Sequence, residues 1–441
     1  MTGGQRRGAA ALALLLPAAG PAQTPPVAGA GSPAVQSIAV PGTAAQAVTV
    51  LWPAEPLDGA APGRRRAVAG AAALLRQQWA DAALAQRTWP GAAPTTGLTV
   101  GDWFAVYTVV LPRADEGAAA AWFAALGGAG QGGADDRAAR TLARAALAAD
   151  DADWLYPGEL LAGRARRALA PAPAATALLG DPAALQGMSA AELVAAAMAP
   201  PARLRVLVLG AVDGLEALRR AVGALQTASA PAGAAAAAVA GAPPEPPALR
   251  QRHPRVDAAF VAAAVAAPPP GPDALPFLIG VEVARSRAQA RFGAFRGGEV
   301  LARAPFVTCR PLLGDPVAVF CRRGPDADPA RPQRELEQLL ASLRDEPVGP
   351  RELEAARRLL AAEWGAPPWS EAQLRALREL PQLLGARAET LCLLGYWGLA
   401  DAAGRLDGID ASAVSAALRT ALSAPCWWGG LVPTVEFPAG W

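Results

Sequence analysis

The sequence divides nearly in half at a Pro- and Ala-rich stretch, TASAPAGAAAAAVAGAPPEPPALRQRHPR, from Thr227 to Arg255. A stretch so poor in large apolar residues builds no core of its own and reads as a linker. With 441 residues in the chain, each side keeps enough length for a domain with a real core. The two sides are alike in kind. In the first, PAVQSIAVPGTAAQAVTVLWPAE alternates as two strands around a Pro-Gly turn, and RRRAVAGAAALLRQQWADAALAQRTW is helical. LTVGDWFAVYTVVLPRADEGAAAAWFAAL then runs strand, polar turn, helix, and RLRVLVLGAVDGLEALRRAVGAL, from Arg203 to Leu225, repeats that order. In the second, VDAAFVAAAVAAPPPGPDALPFLIGVEVARSRAQARF predicts strand, loop and helix. APFVTCRPLLGDPVAVFCRR predicts a hairpin, and PQRELEQLLASLRDEPVGPRELEAARRLLAAEWG a helix pair. Strands and helices alternate in clusters, which predicts two α+β domains, over 33–226 and 256–441, with 227–255 as the linker.

The first residues, MTGGQRRGAAALALLLPAAGPAQTPP, place Arg6 and Arg7 before an apolar run from Ala9 to Leu16 and small residues ending at Ala22. This is the layout of a signal peptide over 1–22, so the chain is expected to be exported to a periplasm or outside the cell. No later window has the roughly 18 uninterrupted apolar residues of a membrane span. The formal net charge is +2, every basic residue is arginine, and the arginines are scattered among acids. That pattern points away from nucleic acid as a partner. The turn Gly210-Ala211-Val212-Asp213-Gly214 lacks the spacing of a phosphate loop.

The order of the pieces carries a resemblance. LLGDPAALQGMSAAELVAAAMAPPARLRVLVLGAVDGLEALRRAVGAL has Gly-Asp-Pro, a helix opened by Ser189 with Glu192 as a capping box, a strand ending in Gly-x-Val-Asp, and a helix. It resembles the end of a domain in the M16 (insulinase-like, pitrilysin-type) metallopeptidase family. The second half resembles the family's C-terminal repeat in Ser286-Arg287, in the hairpin from Phe306 to Arg322 turning at Gly314-Asp315-Pro316, and in Val348-Gly349-Pro350-Arg351-Glu352-Leu353. The resemblance implies two homologous M16-type domains, each an antiparallel-rich sheet packed with helices.

The family's chemistry needs a helix carrying His-x-x-Glu-His, in which two histidines hold zinc and the glutamate activates its bound water. By the resemblance that helix falls between VTVLW and LTVGDWF, where this chain reads AVAGAAALLRQQWADAALAQ. The chain has a single histidine, His253, between Arg252 and Pro254, which reads as a solvated linker residue. Two histidine ligands are therefore unavailable anywhere, and no metal, no cofactor and no catalytic residue are expected. Cys309, Cys321, Cys392 and Cys426 lack C-x-x-C spacing, and in an exported chain cysteines serve more often in disulfides. Cys309 and Cys321 stand symmetrically about Asp315, which makes them a disulfide candidate across the hairpin, set against two free thiols.

Non-catalytic members of the family pair with a zinc-bearing chain. The resemblance thus implies a pseudo-peptidase that serves as the accessory or substrate-binding subunit of a zinc peptidase heterodimer, with a zinc-bearing M16 subunit as partner and a peptide as substrate. The alternative is a stand-alone binding or structural protein on the same fold. In some bacterial pairs the partner chain contributes an Arg and a Tyr towards the substrate. Arg287 matches the Arg by its Ser-Arg context, while Ala304-Pro305-Phe306 stands where the Tyr is expected. Arg287 reads equally as a solvated helix residue between Arg285 and Arg291.

Overall fold

A computed structural model describes residues 35–53, 62–101, 104–129, 157–169, 189–201, 204–227, 249–253, 256–268, 270–292, 307–309, 311–313 and 317–434. The expected signal peptide lies outside them. Two five-stranded sheets organise the chain. In the first half, β1 (Val35–Ala39), β2 (Gln46–Pro53), β3 (Thr95–Val100), β4 (Phe104–Leu111) and β5 (Arg205–Gly210) lie in the order β1-β5-β2-β4-β3. In the second, β6 (Leu249–His253), β7 (Phe260–Ala266), β8 (Val307–Thr308), β9 (Val317–Arg323) and β10 (Trp427–Pro433) lie in the order β6-β10-β7-β9-β8. The two orders are the same. In each sheet the first strand runs parallel to the last, and all other pairs are antiparallel.

Two expectations change here. The strands around the Pro-Gly turn, β1 and β2, do not pair with each other, because β5 inserts between them. β5 is buried almost throughout and suits an interior place, whereas β1 alternates towards exposure and suits an edge. Gly210 closes β5 at φ +113, where a Cβ would run into the Ala45 carbonyl, so a side chain is excluded. The stretch 227–255 is also not linker throughout. Its residues 249–253 are β6, which pairs in parallel with β10 from Leu249↔Gly429 to His253↔Pro433. His253, expected in solvent, is 0% exposed. LRQRH carries no apolar alternation; its strand character comes from main-chain pairing with a partner nearly two hundred residues away.

The helices are α1 (Pro62–Ala85), α2 (Glu116–Leu126), α3 (Pro157–Leu169), α4 (Ala190–Met198) and α5 (Glu216–Thr227) in the first half. In the second they are α6 (Leu275–Phe292), α7 (Ala330–Asp345), α8 (Pro350–Trp364), α9 (Glu371–Glu379), α10 (Pro381–Tyr396), α11 (Ala402–Leu406) and α12 (Ala411–Ser423). Local signals open several of them. Ser189 accepts from the Glu192 amide while Glu192 accepts from the Ser189 amide, the expected capping box. The Gly349 amide donates to Glu352 Oε2 at 2.9 Å at the head of α8.

The inner face of the first sheet packs Val48, Val50, Trp52, Tyr107 and Val208 against Trp122 and Phe123 of α2 and Leu218 of α5. The inner face of the second packs Val261, Ala263, Val265 and Phe320 against α6, α7 and α12. The outer faces are covered crosswise. Leu160, Leu161, Ala162 and Ala165 of α3, from the first half, lie on Phe260, Ala262, Val317 and Val319 of the second sheet. Helix α10, from the second half, lies on β2, β4 and β5 of the first sheet. It comes close because its buried stripe includes Gly385, Ala388, Cys392 and Gly395; a Cβ on Gly385 would stand 2.7 Å from Val110 Cγ2. At the end of α10, Phe104 of β4 meets Tyr396 edge-on at 5.2 Å, and Trp397 Nε1 donates to the Leu312 carbonyl at 2.7 Å.

Candidate functional site

Helix α1 follows the second strand of its half, where the resemblance places the metal helix. Its buried residues are mostly alanine and leucine, and the largest among them are Arg76 and Trp79. The Arg76 guanidinium stacks over the Trp52 ring at 4.3 Å. Its Nε donates to the Ala197 carbonyl at 2.8 Å and its Nη2 to the Ala196 carbonyl at 3.0 Å. These are last-turn carbonyls of α4, the negative end of that helix, so a fixed cation there satisfies unpaired acceptors and the helix dipole together. Tyr107 lies beside it; burial pushes the phenol up, and the Arg76 charge pulls it the other way.

Zinc needs lone pairs on deprotonated nitrogen, sulfur or oxygen. Arginine has donors only, carries a permanent charge, and repels a metal ion. With Trp52 at 1% exposure, Tyr107 at 0% and Arg76 at 6%, the site is also sealed from solvent. The residues present do not fit zinc. His253, in β6, belongs to the other sheet.

Arg287, in α6, is neither solvated nor open. Its side chain is 13% exposed, and it makes four hydrogen bonds: Nε to Glu352 Oε1 at 2.9 Å, Nη2 to Glu352 Oε2 at 3.0 Å, Nη1 to the Ser342 carbonyl at 2.9 Å and Nη2 to the Pro347 carbonyl at 3.1 Å. The fork-to-fork pair holds the Glu352 carboxyl below its usual range. Arg287 thus ties α6 to the junction of α7 and α8, and a substrate group would have to displace Glu352 to reach it.

The Cys309–Cys321 pairing is corrected. The register sets Val307 opposite Phe320 and Thr308 opposite Val319, so Cys309 falls in line with Ala318, three residues from Cys321. An odd offset reverses faces. Cys309 packs in the inner cluster and Cys321 in the outer one against α3, and no disulfide joins them. Burial pushes the Cys321 and Cys392 thiols up to about 12, which keeps them protonated and unreactive.

The remaining feature is the strand β3, TTGLTV, at the edge of the first sheet. It pairs with β4 on one side, and among the described residues no strand pairs with the other. Thr95, Thr96 and Gly97 are exposed. Burial raises the carboxyl of Asp81 in α1, with Thr96 nearby lowering it in part, and burial likewise raises that of Glu389 in α10, with Thr99 nearby. An open edge of this kind offers a row of main-chain donors and acceptors to an extended chain.

No family model matches the sequence, and no curated protein does. Solved structures do match. The peptidase M16 inactive domain from Pseudomonas fluorescens superposes with a TM-score of 0.65 over 91% of this chain and 96% of its own, at 17% identity. The fold is the M16 fold. A putative M16-like peptidase from Alicyclobacillus acidocaldarius gives a TM-score of 0.63 over 91% of this chain and 96% of its own, at 12% identity. The periplasmic protease PqqL from Escherichia coli gives 0.53 at 14% identity, this chain covering 90% of itself and 44% of PqqL. The M16 fold therefore accounts for both halves, as the resemblance implies. Sequence reasoning does not find Arg76, Asp81, Glu389 or the β3 edge within it. The one signal for Arg76 is an arginine within the run of alanine and leucine that forms the buried face of α1.

Proposed function

We propose that this chain is a non-catalytic M16-fold protein, exported, which holds an extended peptide along β3 and works as the accessory half of a pair whose other half carries zinc. The observation that carries the proposal is Arg76: the helix that holds metal in the active relatives here presents a cation bound to α4 and stacked on Trp52. Loss of the ligands beside retention of both sheets leaves shape and main-chain pairing as the remaining assets. The likeness to a domain described as inactive, and to a periplasmic protease more than twice as long, supports the reading. Arg287 is given no substrate role in it.

The test is purification of the chain alone and after co-expression with a zinc-bearing M16 protein of the same genome. Metal analysis should find no stoichiometric zinc in the lone chain and no cleavage of a quenched fluorescent peptide; the co-purified complex should be 1:1 and active. Zinc bound by the lone chain, with activity lost on chelation, would overturn the proposal. A well-behaved monomer that binds peptide and ignores every such relative would favour the stand-alone binding protein.

A further inference from the structure

The core beneath α1 combines a buried cation with buried hydrogen-bond donors. Arg76 is buried, and its hydrogen bonds go to neutral carbonyls, those of Ala196, Ala197 and Ala199. Among the described residues no carboxylate reaches it. The C-terminal end of α4 supplies about half a negative charge, while a guanidinium stays fully charged. Part of a buried positive charge is therefore left without a counterpart, which is costly. The ring under it, Trp52, meets Tyr107 edge-on, with centroids 6.3 Å apart and planes at 79°. Trp52 Nε1 and Tyr107 Oη are both buried, and among the described residues neither has a hydrogen-bond partner. Burial keeps the Tyr107 phenol protonated, so it too brings a hydrogen. Buried donors in native cores find acceptors, and two orphans in adjacent rings beside one uncompensated cation call for an explanation.

From this arrangement we infer that the chain holds a small monovalent anion, of the size of chloride, between Arg76, Trp52 Nε1 and Tyr107 Oη. In charge the site is the inverse of the metal centre that the resemblance places on this helix. A bound anion accepts from both donors and neutralises the guanidinium, so one group answers all three needs. Water fits less well. It accepts from the same donors, but it has two hydrogens of its own to place, and the groups named here are donors and a cation whose carbonyls are already taken. Phosphates and organic carboxylates are too large for a site sealed by Trp52 and Tyr107, which are 1% and 0% exposed. The same seal makes the anion a constituent of the fold, bound by the native chain and released on unfolding, so its concentration sets stability by mass action. The inference needs neither a partner chain nor a peptide, and its failure would leave the proposed function as it stands.

The test is thermal unfolding of the full chain in sodium chloride, sodium bromide and sodium gluconate at one ionic strength and pH, gluconate being too large to enter. Both halides should raise Tm above its value in gluconate by about 2–4 °C, and the gap should widen with halide concentration. Tyr107→Phe separates a held ion from an idle hydroxyl. With the ion held, the substitution lowers Tm in chloride and narrows the halide gap; an idle buried hydroxyl would leave the variant as stable as the parent, or more so, in every salt. General salt effects are common to parent and variant and cancel in that comparison. Arg76→Met should close the gap, and Arg76→Lys, which keeps the charge, should retain part of it. Crystals grown in bromide should show one anomalous peak within hydrogen-bond reach of both Trp52 Nε1 and Tyr107 Oη. Equal Tm in the three salts, or density at that position without anomalous signal, would overturn the anion and assign the position to water.

Discussion

The outer faces of the two sheets are covered in the same way but with different materials. On the second sheet α3 makes an apolar contact, Leu160 and Leu161 against Phe260, Val317, Val319 and Leu431. On the first, α10 approaches on a stripe of small residues and lies over polar groups: Thr49 Oγ1 and Thr108 Oγ1 meet at 3.1 Å in the buried sheet, and Arg205 Nη2 donates to Gln36 Oε1 at 2.9 Å. An apolar seal is strong and carries no information. A polar one is weaker per unit area and positions groups at its rim. The open β3 edge belongs to the sheet with the polar cover, whereas the second sheet ends in a two-residue strand.

The largest effect should come from breaking the apolar cover. Leu161→Ala removes a fully buried side chain from α3 and should cost about 2–5 kcal/mol in denaturant unfolding. On the other sheet the sensitive direction is the opposite one. Gly385→Val adds bulk where Val110 already touches and should cost about 1–3 kcal/mol, while the equivalent small-to-large change at exposed Gly404 should cost far less. The buried hydroxyl pair sharpens the contrast further. Thr108→Val alone strands the Thr49 hydroxyl and should cost about 1–2 kcal/mol, whereas the double change to valine should recover most of that loss in a double-mutant cycle.

The smallest effect is a pH dependence at Glu389. Its folded carboxyl is raised above the ordinary 4.5 by burial, so between that value and the folded one the native state keeps a proton that the unfolded chain has lost. Stability from this group therefore falls as pH rises through the window. Glu389→Gln should stabilise the chain at pH 7 by thermal unfolding, and the gain should shrink towards zero as pH falls below 4.5.

What could be read from the sequence was whatever local pattern determines. The strand-turn-helix units, the capping box at Ser189, the helix pair after β9 and the division into two like halves all rest on neighbours within about ten residues. What could not be read depends on partners far along the chain. β6 is a strand because β10 lies beside it, and β1 is separated from β2 because β5 enters between them. The cysteines miss each other because the β8–β9 register is offset by three from the symmetric hairpin that their spacing suggests. Arg76 and Arg287 look like surface arginines until the carbonyls that they cap arrive, from about 120 and 55 positions downstream.

The crossed covers have one more consequence. Two identical chains, each lending the helix between its fourth and fifth strands to the other, would produce this arrangement as an exchanged dimer; here residues 228–248 make the pair a single molecule. A protease cut in that segment severs the covalent path but releases neither fragment, since parting them strips both sheets at once. The nicked protein should elute at its intact size and unfold as one unit, and neither half expressed alone should reach the shape it holds in the whole.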